Sequence, residues 1–64
     1  MRHYYILNQD PNAATVFEFI QHHKLTVSIH LNRTRFLVPK DSVILTELLL
    51  RFGHCVAQVE LTPL

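Results

Sequence analysis

Five histidines, one cysteine and five carboxylates are the side chains of this 64-residue chain that could do acid–base, nucleophilic or metal chemistry. A metal site needs convergent ligands at fixed spacing, and no Cys-x-x-Cys or His-x-x-x-His pair occurs. His22 and His23 are neighbours, so on a helix they leave the axis about 100° apart. His30 and His54 are expected on one sheet face but on opposite edge strands. The reading is therefore no metal and no other cofactor. Nucleophilic catalysis would rest on Cys55 with a histidine beside it. His54 is adjacent in sequence, so on a strand it faces the other way. Cys55 itself falls on an apolar face, where a free cysteine acts as a small hydrophobe. Asp10 and Asp41 suit helix caps, Glu47 is placed to pair with Arg51, and Glu18 lies on a helix surface, which leaves no carboxylate pair for acid–base work. A single glycine, Gly53, excludes a glycine-rich phosphate loop. The chain is not expected to be an enzyme.

Composition narrows the class further. Apolar residues make up 48% and charged residues 17%, as in a globular protein, and six Lys/Arg against five Asp/Glu give a net charge of +1. That balance lacks the bulk positive field of a protein held to nucleic acid by phosphates. The length supports one domain, residues 1–64, whose stability is marginal because a chain of this size buries only about 60% of its unfolded surface. One cysteine allows no internal disulfide, so good packing or a partner must compensate. The N-terminal apolar stretch is short for a signal peptide, and Val43 to Leu50 is far too short for a membrane span. A cytoplasmic protein without membrane contact is expected.

Periodicity places the elements that must position these residues. Tyr4 to Asn8 suits a first strand. Asp10 as N-cap and Pro11 at the first helical position predict a helix to about His23. Its apolar stripe is Ala13, Val16, Phe17 and Ile20, with Phe19 well off it. Thr26 to Leu31 and Thr34 to Pro39 alternate as half-buried strands. With Asn32-Arg33 as a two-residue turn, Leu31 pairs with Thr34, Ile29 with Phe36 and Val27 with Val38. Asp41 or Ser42 can cap a second helix from about Val43 to Phe52. Gly53 stands where a left-handed residue ends one. His54 to Leu61 predicts a last strand with Cys55, Ala57, Val59 and Leu61 on the core side. The order βαββαβ gives an α+β, ferredoxin-like two-layer sandwich: a four-stranded antiparallel sheet, order 4-1-3-2, with two helices on one face.

The same order is shared with RNA-recognition motifs. Tyr5-Ile6-Leu7-Asn8 is similar to their first signature, and Arg35-Phe36-Leu37-Val38 to the second, without its glycines. That resemblance implies base stacking by Tyr4 or Tyr5. Separately, Arg33, Arg35 and Lys40 cluster around the hairpin end of the sheet, a basic rim on which a nucleic-acid backbone would lie. Small amino-acid-binding modules of the ACT type share the order too, but Asp10-Pro11-Asn12 lacks their glycine.

Excess apolar surface points elsewhere. Ile44, Leu45, Leu48, Leu49 and Phe52 form the core stripe of the second helix, while Val43 and Leu50 fall on its opposite side. With Phe19 they are the first candidates for a protein interface. The open sheet face, through His30, Arg35 and Leu37, is the second, and the edge strands are the third. The leading expectation is a small non-enzymatic interaction protein. It would be an accessory or inhibitor factor of bacterial or phage type that binds a larger protein, self-associates as a homodimer, or both. The rival is single-stranded nucleic-acid binding through the open face.

Overall fold

In the computed structural model, described for residues 1–59, the chain runs β1 (Arg2–Leu7), α1 (Ala13–His22), β2 (Val27–Ile29), β3 (Arg33–Val38), α2 (Val43–Phe52) and β4 (Ala57–Gln58). The sheet is antiparallel throughout, in the order β2-β3-β1-β4. This is the ferredoxin-like βαββαβ arrangement that the alternating strands and amphipathic helices predict. The central ladder pairs all of β1 with all of β3, from Arg2 opposite Val38 to Leu7 opposite Arg33. Tyr4, Ile6, Thr34, Phe36 and Val38 point into one core with the buried side of both helices. The intervening residues His3, Tyr5, Arg33, Arg35 and Leu37 face the other, open side, as strand alternation requires.

Several local expectations change. Helix α1 starts at Ala13 because Asp10 does not cap it. The Asp10 carboxylate accepts from the Asn12 backbone N–H at 2.8 Å and from Asn12 Nδ2 at 3.2 Å, closing a turn that makes Asn12 the cap residue. In α2 the cap is Ser42, whose Oγ accepts from the Leu45 N–H at 3.1 Å. Gly53 is right-handed, at φ −58°, rather than left-handed. Its small size still matters: a Cβ there would lie 2.4 Å from the Leu49 carbonyl oxygen, which accepts the Gly53 N–H. The left-handed helix end belongs to α1 instead. Lys24 sits at φ +53°, donating to the Gln21 carbonyl while Leu25 donates to that of Ile20, a complete Schellman closure.

Phe19 is the main correction in α1. It is only 4% exposed and joins the core instead of an outer surface. Its ring meets Phe52 edge-on at 5.7 Å and His23 at 4.5 Å. A stripe drawn for one buried side misses it, because α1 is buried on two: the sheet beneath and α2 beside it.

The β2–β3 hairpin keeps the expected faces but shifts its register. Val27 lies opposite Phe36 and Ile29 opposite Thr34, and the His30 N–H donates to the Arg33 carbonyl. The tight turn is therefore Leu31-Asn32, one residue earlier than expected. Moving a two-residue turn by one position changes each partner by two, so apolar residues still meet on the core face. The last strand changes more. Gly53 to Cys55 form a turn, pairing begins only at Ala57, and Ala57 lies opposite Tyr5 on the open face. Alternation counted from His54 puts Ala57 on the wrong side, since those first residues are not extended. Cys55 and Val56 do pack against the core. Leu61 and the rest of the tail lie outside the described residues.

Candidate functional site

The helix side of β2 is where the core runs out. Val27 and Ile29 share a face with Phe36 and Thr34, yet they are 47% and 78% exposed. Between them and α1 runs a groove of about 440 Å³, walled by Phe17, Ile20 and Gln21 on the helix and by Val27 and Ile29 on the strand. Thr34 forms part of the floor, buried, with its hydroxyl donating to Asn8 Oδ1 at 2.6 Å. Leu31 at the hairpin tip is fully exposed, and Leu7 nearly half so.

The backbone of β2 adds a second feature. The Thr26 carbonyl and the His30 N–H both bond to β3. Alternation then turns the N–H and C=O groups of Val27 and Ile29 away from β3, towards the open edge. That edge carries none of the usual protections: residues 25–32 contain no Lys, Arg, Asp, Glu or Pro. The groove and the edge are continuous, because the same two residues supply both.

The other expected surfaces look different in the structure. Val43 and Leu50 are 82% and 81% exposed, as the helical spacing predicts. They stand two turns apart, however, and Thr46 and Glu47 lie between them. Glu47 is itself paired with Arg51 at 2.9 Å. With Phe19 in the core, α2 presents two apolar islands divided by polar side chains. On the open sheet face, Tyr4 is absent because it is buried, stacked on Phe36 at 6.2 Å. Tyr5 does face outward, but the Arg33 guanidinium lies over its ring at 4.6 Å. His30, Arg35 and Leu37 come together with His3 around one shallow depression, while Lys40 is exposed in the turn after β3. His3 is the residue that sequence reasoning passed over. Its signal was available, since it stands two residues before Tyr5 on the same strand.

Cys55 is held as a thiol. Burial pushes its pKa up, and the nearby Asp10 carboxylate adds to the rise. Its Sγ–H donates to the Phe52 carbonyl at 3.4 Å. An activated nucleophile needs the opposite environment. His22 and His23 touch edge-on at 4.8 Å, but among the described residues no three His, Cys, Asp or Glu side chains converge as metal ligands. No helix among them is long and apolar enough to cross a membrane. The chain matches no protein-family model, no curated protein and no solved structure.

Proposed function

We propose that this chain is a non-enzymatic protein-interaction module, an accessory or inhibitor protein that receives an extended segment of a larger protein along β2. The observation that carries this reading is the α1–β2 groove. There, exposed apolar side chains lie beside a strand edge whose outward backbone groups have no partner among the described residues. An added strand would bond the outward N–H and C=O groups of Val27 and Ile29 and cover their side chains. Edge recognition of this kind draws affinity from the main chain and specificity from the alternating side chains. A second copy of β2 is itself an uncharged strand with the right alternation, so self-association belongs to the same reading.

The test is a change at the centre of the groove. Ile29→Lys places a charge where the added strand would lie, at a position exposed enough to leave the fold intact. The wild-type chain is expected to retain a protein partner, or to sediment as a dimer, and Ile29→Lys to do neither. If both proteins sediment as monomers and retain the same set of partners, the reading fails.

The rival reading, single-stranded nucleic-acid binding, draws support from Arg33 and Arg35 on the open face. Its stacking platform is weak, because Tyr4 is buried and Tyr5 is already covered by Arg33. It requires Arg33→Ala and Arg35→Ala to lower both affinity and salt dependence. No binding even at low salt would end it.

A further inference from the structure

Opposite the groove, the open face of the sheet holds a depression of about 270 Å³ walled by His3, Thr26, Ser28, His30, Arg35 and Leu37. Strand pairing explains why these residues converge. Arg35 stands mid-sheet, across from Tyr5 on one side and Ser28 on the other. His3 lies across from Leu37, whose N–H donates to the Thr26 carbonyl. His30 reaches the Ser28 hydroxyl at 3.2 Å. Three strands thus bring a guanidinium, two imidazoles and two hydroxyls to one patch.

Charge is segregated around this patch. Asp10 and Asp41 lie in turns, Glu18 on α1 and Glu47 on α2, so no described carboxylate is on the open face. Among the described residues, the other guanidinium on this face is that of Arg33, stacked on Tyr5. Arg35 has no acidic partner among the described residues, and its Nε is buried without any hydrogen bond. Leaving a buried donor unpaired is costly, and it leaves the guanidinium without any protein group to fix it.

We infer that this depression binds the phosphate group of a small phosphorylated ligand, with the Arg35 guanidinium as its central donor. A phosphate monoester presents three strong acceptor oxygens and close to two negative charges. The guanidinium fork satisfies two oxygens, and the Ser28, Thr26 and imidazole donors stand around the third. A carboxylate, with two oxygens and one charge, would leave the hydroxyls idle. The volume lies near the lower end for ligand sites, enough for a phosphate and a small apolar group against Leu37. The His3 and His30 rings add N–H donors at the rim of the same depression.

The experiment is an amide NMR titration with inorganic phosphate and then phenyl phosphate. Shifts are expected at His3, Thr26, Ser28, His30, Arg35 and Leu37. Arg35→Gln should weaken binding about tenfold or more, the scale of a charge-assisted bond. Lys40→Gln removes the same charge from an exposed turn and should change affinity less than about twofold. Should Arg35→Gln fail to fold, His30→Ala at an exposed position reads the same site and is expected to weaken binding more than Lys40→Gln does. Absence of shifts, or equal losses in Arg35→Gln and Lys40→Gln, overturns the inference. Oligothymidylate binding that grows with length and depends equally on Lys40 and Arg35 overturns it in favour of a nucleic-acid strand. Ile29→Lys should leave the phosphate shifts untouched, so this site and the groove stand or fall separately.

Discussion

Lys24 ends α1 at φ +53°, a conformation that costs a residue with a Cβ about 1–2 kcal/mol. The surrounding bonds hold it there, since Lys24 and Leu25 both donate back to the last turn of α1. Glycine would adopt this conformation without strain. Lys24→Gly is therefore expected to stabilise the fold by about 0.5–1 kcal/mol once the greater freedom of the unfolded chain is subtracted, as read by urea denaturation. Gly53 carries the opposite prediction. Its φ suits any residue, but its Cβ position lies 2.4 Å from the Leu49 oxygen. Gly53→Ala must push the α2 terminus aside, with an expected loss of about 1–3 kcal/mol in the same measurement. If Gly53→Ala proved neutral, the helix end would be relaxing freely and the close approach would not be what selects glycine. Only half of this was legible in the sequence. A lone glycine after an apolar stripe marked the end of α2 correctly, but not its handedness. Nothing in the residue type of Lys24 announced a left-handed position.

Between elements, Phe19 shows what a periodicity argument leaves out. The stripe Ala13, Val16, Phe17 and Ile20 describes one side of α1, and Ala13, Val16 and Ile20 are buried as it predicts. Phe19 lies roughly 100° off that stripe, on the flank towards α2, and closes the helix–helix contact through Phe52. One sequence window cannot say which neighbour will cover a second flank. The two readings differ sharply in stability. Phe19→Ala is expected to cost about 3–5 kcal/mol, as for a buried aromatic, whereas Leu50→Ala on the exposed side of α2 should stay within about 0.5 kcal/mol. Thermal or chemical denaturation of both variants separates them, and a mild effect of Phe19→Ala would mean that the α1–α2 seam is loose. The hairpin makes a related point. Alternation in β2 and β3 fixed the faces, because a slip of one residue would have exposed every apolar side chain. A slip of two leaves the faces unchanged, so the turn alone chose between registers, and Leu31-Asn32 won over Asn32-Arg33.

Across the whole molecule, cohesion is uneven. The core gathers side chains from β1, β3 and both helices, while every residue of β2 is exposed. The βαββαβ order was legible because each element carries its own period. The candidate groove was not, since exposure of Val27 and Ile29 depends on how far α1 reaches over the edge, and their alternation reads the same covered or bare. The consequence is a gradient of stability running from the β1–β3 ladder to the β2 edge. Hydrogen exchange should show it directly. The Ser28 and His30 amides face β3, and that of His30 is bonded to the Arg33 carbonyl, yet both are expected to exchange by local opening, at least about 100-fold faster than the most protected amides of β1 and β3. A strand added along Val27 and Ile29 would close the same opening, so a bound partner should slow Ser28 and His30 far more than the central ladder. If His30 in the free chain instead exchanges as slowly as the ladder, β2 is part of the cooperative core. Its exposed apolar face would then be rigid surface that needs no added strand for stability.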